Sequence, residues 1–142
     1  MRSWLARLFG KEQLRSAGVD PSAIPSPGPV WSDPEMTDEE RAVALVRLLE
    51  DSTAREDERE DAASDLEFLS GPFVEAALIR AIRAGDFRSD LAQLCAESLA
   101  GIWAREGHAD PAFLAELRSL AKEEVFGILG ARASHLLPPG AH

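Results

Sequence analysis

From Thr37 to Leu136 the apolar residues recur at spacings of three and four, and no segment alternates by two, so the chain is committed to helices and denied a sheet. Start and stop signals divide that run. Thr37 and Glu40 have the spacing of a capping box, and Ala42, Leu45, Val46 and Leu49 follow on one stripe, which predicts a first helix over 38–51. Thr53 and Glu56 repeat the spacing, and Ala62, Ala63, Leu66 and Leu69 predict a second helix that Gly71 and Pro72 end. Pro72 suits a first helical turn, and Val74, Ala77, Leu78, Ala81 and Ile82 carry the third helix to Gly85. Phe73 and Ile79 give it a second apolar face, so it is expected to be sandwiched between neighbours. The fourth helix, over 90–106, has the cleanest stripe: Leu91, Leu94, Cys95, Ser98, Leu99, Ile102 and Trp103, closed by Gly107. Asp110 and Pro111 open a fifth, with Phe113, Leu117, Leu120 and Ala121 on one stripe. A sixth, from about 122, uses Val125, Phe126, Leu129, Ala133 and Leu136 before Pro138 and Pro139 stop it. Gly127 and Gly130 each weaken a helix by roughly 1 kcal/mol relative to Ala, so either close backbone packing or a frayed helix is implied there. Leu66, Leu78, Leu99, Ile102, Trp103 and Leu117 are the expected core.

A chain of 142 residues with 45% apolar content has enough material for one core. Its formal charge of −10 argues against nucleic acid, whose backbone requires clustered Lys and Arg. The charge is unevenly spread: residues 1–19 carry +3, residues 20–35 carry −3, residues 36–70 carry −8 and residues 71–142 carry −2. Five of the nine prolines, at 21, 25, 27, 29 and 34, mark residues 20–36 as an extended linker. The division is therefore a basic amphipathic helix at 1–19, a linker at 20–36, a helical domain at 37–137 and a tail at 138–142. The single cysteine, Cys95, excludes an intramolecular disulfide framework and a Cys-rich zinc site, and no apolar stretch approaches a membrane span, so a cytoplasmic location is expected.

The helices read as three pairs. Ala62, Ala63, Leu66 and Leu69 shift by 33 positions onto Cys95, Ala96, Leu99 and Ile102, and the third pair follows with looser spacing, Ala133 and Leu136 standing 37 beyond Ala96 and Leu99. Small residues followed by large aliphatics let two helices cross closely. The stretch GPFVEAALIRAIRAGDFRSDLAQLCAESLAGI, Gly71 to Ile102, resembles one HEAT-like repeat, with a Pro-started first helix, a Gly-Asp turn and a second helix ending in Ala-x-x-Leu-x-x-Ile. The resemblance covers roughly residues 37 to 137 and is degenerate in the outer two pairs; an irregular bundle of about six helices is the other reading of the same pattern. The family implies a curved stack of antiparallel pairs, second helices lining the concave side, used mainly to bind macromolecules.

The catalytic inventory is thin. His108, His135 and His142 stand apart, outside any metal-ligand spacing, Cys95 falls on a buried stripe, and no phosphate loop or nucleophile elbow occurs. The acidic run Glu56 to Asp61 reads as a solvated helix face, because no loop is present to wrap a calcium ion. No enzyme, metal or cofactor is expected. Advancing about 100° per residue from Leu66 places Asp57, Asp61, Ser64 and Phe68 opposite the core stripe. On the analogous face of the fourth helix lie Asp90, Gln93 and Glu97, with Gly101 in the position of Phe68. If second helices line the concave side, these residues form an acidic groove with a phenyl ring in it; alternatively the linker, for example Trp31, covers Phe68. The expected function is a protein-binding module for a basic partner, in its most specific form a bacterial immunity or inhibitor protein against a basic toxin. The N-terminal segment, with Trp4, Leu5, Leu8 and Phe9 clustered and Arg2, Arg7, Lys11 and Arg15 charged, offers a second reading. It would be a membrane-proximal adaptor held on anionic lipid, although docking in cis or capping the stack fits the segment better than lipid.

Overall fold

A computed structural model describes residues 36–140; the expected N-terminal helix, the linker as far as residue 35 and residues 141–142 lie outside the described residues. The described chain is all-helical, with no strand. Six α-helices follow one another: α1 (Asp38–Leu49), α2 (Glu56–Leu66), α3 (Pro72–Ala84), α4 (Asp90–Glu106), α5 (Pro111–Glu116) and α6 (Ser119–Arg132), with a final 3₁₀ turn at Ser134–Leu136. None is long and apolar enough to cross a membrane.

The capping box of α1 forms as the sequence predicts: Thr37 Oγ1 accepts from the Glu40 amide and Glu40 Oε1 accepts from the Thr37 amide, both at 3.1 Å. The second box does not form. Thr53 instead donates its amide and its hydroxyl to the Asp51 carboxylate at 2.9 and 2.6 Å, closing a turn that ends α1 early and leaves Arg55 at the start of α2. Helix α2 also ends three residues short of Leu69. The amides of Glu67, Phe68 and Leu69 turn back to carbonyls three residues earlier, and the Arg105 guanidinium of α4 donates to the Glu67 and Leu69 carbonyls at 2.8 and 3.4 Å. Those carbonyls would otherwise be orphans. Gly71, at φ 112°, then makes the turn into Pro72 that a side chain would strain.

Between α3 and α4 two non-glycine residues, Asp86 and Phe87, sit in the left-handed region at φ 55° and 61°. Such a pair needs tertiary support, and it has some. Phe87 is buried against Phe113 with ring centroids 6.2 Å apart, Arg118 lies 4.4 Å above its face and reaches Asp86 at 2.6 Å, and the Phe87 carbonyl accepts from the Ala121 amide at 2.9 Å. That last bond helps fix where α6 begins. The helical stripe expected to run from Phe113 through Ala121 is therefore broken at Leu117, and α6 starts at Ser119 rather than 122. Phe113, Leu117 and Ala121 remain buried while Leu120 turns outward. Ala133 and Leu136 fall beyond the end of α6.

Helix α4 is the centre of the molecule, packing against α2, α3 and α6, while α1 packs against α2 and α3. Ten of its seventeen residues are buried, which explains why its stripe is the easiest to read. All six expected core residues are buried, and Trp103 donates its indole N–H to Glu75 at 2.8 Å. Helix α3 is only partly sandwiched: Ile79 is half-buried, but Phe73 is exposed. Neither reading of the α6 glycines is found: both lie within the continuous helix, and a Cβ on Gly127 would meet nothing within 4 Å and one on Gly130 only Leu137 at 3.8 Å.

Candidate functional site

Small residues bring α2 and α4 together. Ala62 and Ala63 are fully buried, and Ser98 of α4 donates its hydroxyl to the Ala63 carbonyl at 2.7 Å, a bond across the crossing that only close backbones permit. The approach forces together the acids on the same side of the two helices. Carboxylate oxygens of Glu56, Glu60 and Asp90 all lie within 4.8 Å of one another, and none forms an ion pair with Lys or Arg among the described residues. Burial, followed by the charges of Glu56, Asp90 and Asp57, pushes the Glu60 carboxyl above its ordinary range.

Farther along, Glu67 is the second acid raised above its ordinary range, first by burial and then by Glu97, with Arg132 and Arg105 opposing. It packs over Gly101, where a Cβ would come within 2.8 Å of the Glu67 carboxyl carbon. Gln93 donates its amide to Glu124 of α6 at 2.9 Å, so the polar layer continues from α2 through α4 to α6.

Of the residues expected on this face, Asp90 meets Glu56 and Glu60 rather than Asp57 and Asp61. Asp57 is exposed and pairs with Arg55 at 3.2 Å; Asp61 and Ser64 are half-buried. Gln93 and Glu97 lie along the same layer, Glu97 exposed. Phe68 does not complete the groove. Because α2 stops at Leu66, the helical register no longer governs Phe68, and Glu67 rather than Phe68 contacts Gly101. Phe68 instead lines a cleft of about 330 Å³ with Asp38, Glu39, Val43, Phe73 and Val74, among others, beside α1 and α3. Trp31, its expected cover, lies outside the described residues. Glu56, Glu60 and Glu67 were missed as site residues, although the i, i+4 spacing of Glu56 and Glu60 places them on one face.

The oxygen-only set Glu56, Glu60 and Asp90 suits a hard cation or a cationic side chain equally. A second cluster, Glu75, Glu106 and His108, brings two carboxylates and an imidazole within the same 4.8 Å limit, with His108 Nε2 3.3 Å from Glu106. Cys95 is buried and its thiol is pushed up to about 12 by desolvation, which leaves it protonated and apolar in character. Compared with known proteins, the chain matches no family model, no curated protein and no solved structure.

Proposed function

We propose that this chain is a non-enzymatic protein-interaction module that receives a basic partner on the acidic face of α2 and α4. One observation carries the reading: Glu56, Glu60 and Asp90 crowd within 4.8 Å with no Lys or Arg ion pair among the described residues, and Glu60 is raised by burial first and by these neighbouring charges second. Folding holds these charges together against their repulsion, so an incoming guanidinium or ammonium gains both attraction and relief of that repulsion. The acids sit on packed helices rather than on loops, so little ordering is needed when a partner arrives. Glu97, Glu67 and Glu124 extend the negative field along the layer, which favours fast, salt-sensitive association.

The succession of α2, α4 and α6 in one packed layer, with α1 and α3 packed beside it, supports a HEAT-like stack of helix pairs. Size, acidity and a surface of this kind suit a small bacterial immunity or inhibitor protein that neutralises a basic toxin. Capture from the source cell tests the reading with three baits: the full chain, the Glu56→Lys, Glu60→Lys, Asp90→Lys variant, and Phe68→Ala. The expected result is a basic protein retained by the first and third baits and lost by the second, with affinity reduced on the order of 100-fold. A partner retained equally by all three, or an acidic one, overturns it.

A further inference from the structure

The cleft that takes Phe68 away from the acidic face is itself an unusual surface. Three large apolar side chains are open around it, Phe68 at 64%, Phe73 at 49% and Val43 at 36% exposure, although the other large apolar side chains of the described residues are mostly covered. Its charged lining is acidic, from Asp38 and Glu39, with no Lys or Arg in the wall. Asp38 shares its charge with Arg41 at 2.6 Å, whereas Glu39 has no ion pair among the described residues.

We propose that the basic N-terminal segment of the same chain, residues 1–15, docks in this cleft. Its apolar residues, Trp4, Leu5, Leu8 and Phe9, match the open phenyl rings, and Arg2, Arg7, Lys11 and Arg15 match the acidic rim. The tether makes this the favoured occupant. The described chain begins at Met36, two residues before Asp38, so the segment is attached at the edge of the cleft. Residues 16–35 reach about 70 Å when extended, more than the docking needs, and a tether of this length holds the segment at an effective concentration of about millimolar. A weak apolar contact, insufficient between separate molecules, then suffices. The docking is independent of the acidic face of α2 and α4 and would stand if that face bound nothing.

The test is paramagnetic broadening of the full-length chain carrying a nitroxide on Ser3→Cys, a position that labels selectively because Cys95 is buried. The expected result is broadening confined to residues 38–43 and 68–74, abolished by Phe73→Asp. That substitution places an acid in the first turn of α3, where the helix tolerates it, and Phe68→Ala provides a second variant with the same expected loss. Broadening spread evenly, or centred on residues 56–60 and 90–97, overturns the proposal. So does broadening passed to an unlabelled chain in a mixed sample, which would make the occupant a second copy. Absence of broadening in the cleft, with the label immobilised only by vesicles containing phosphatidylserine, would equally overturn it, because the segment would then be a lipid anchor.

Discussion

Helix α2 serves two surfaces of opposite character. Its first turns hold Glu56 and Glu60 against Asp90, a charged site with no apolar anchor; just past its end, Phe68 opens a cleft with apolar anchors and few charges. The difference follows from what lies beneath. Alongside the acids, α2 and α4 are held together by buried alanines and by the bond from Ser98 to Ala63, which fixes the helices that carry the charges. At the cleft the helix has already ended, and Phe68 stands on a turn that Arg105 caps from below. Charge fixed on packed helices steers, whereas exposed rings on a turn anchor. A single groove combining the two, as the helical wheel suggests, would require α2 to continue through Leu69.

The contrast is broken most forcefully by core truncation. Leu99→Ala, beneath the acidic layer, should lower unfolding free energy by about 2–5 kcal/mol, whereas Phe68→Ala should change it by less than about 0.5 kcal/mol, as for an exposed site. Denaturant titration of both variants decides this, and a large loss for Phe68→Ala would place the ring in the fold rather than on a surface. A smaller effect concerns the glycines of the layer. Gly101 is filled above by Glu67, but Gly127 faces open space, so Gly127→Ala should raise stability by about 1 kcal/mol. A loss instead would show that something covers α6 there.

The smallest effects are those of pH, and their signs are opposite in two carboxylates. Glu60 has its folded pKa raised, so the folded state holds the proton more tightly, and the stability associated with it is present at low pH and lost as pH rises through the raised value. Glu60→Gln should therefore be more stable than the parent at neutral pH and match it below the ordinary carboxyl range. Glu116 is held low by its two hydrogen bonds from Arg83, at 2.8 and 2.7 Å, so its contribution is present at neutral pH and lost on acidification. Glu116→Gln should be less stable than the parent at neutral pH and converge with it in acid. Thermal melts across that range measure both differences, and equal signs would remove the electrostatic distinction between the two sites.

Helical class, the central stripe of α4 and the six core residues were legible because burial on one side imposes a 3.6 period on the sequence. Phe87 was not. It lies outside any helix, and its burial depends on left-handed backbone at Asp86 and on Arg118, thirty-one positions away. The second capping box failed for a related reason: Thr53 donates its amide to the nearer Asp51 carboxylate instead of to that of Glu56, and its hydroxyl is engaged there too instead of accepting from the Glu56 amide. For the candidate site, the acidic character of α2 and α4 was legible, but not which acids meet. A wheel fixes angles about one helix and says nothing of the crossing that sets Glu60 rather than Asp61 opposite Asp90. Phe68 was misplaced by continuing that wheel beyond the last helical residue.

Association kinetics with the captured basic partner test the acidic face most directly, measured from low to physiological ionic strength for the full chain and the Glu56→Lys, Glu60→Lys, Asp90→Lys variant. The on-rate of the full chain should fall steeply with salt, and that of the variant should be slow and nearly flat. Salt-independent association of the full chain, or identical curves for the two proteins, would contradict recognition through this face.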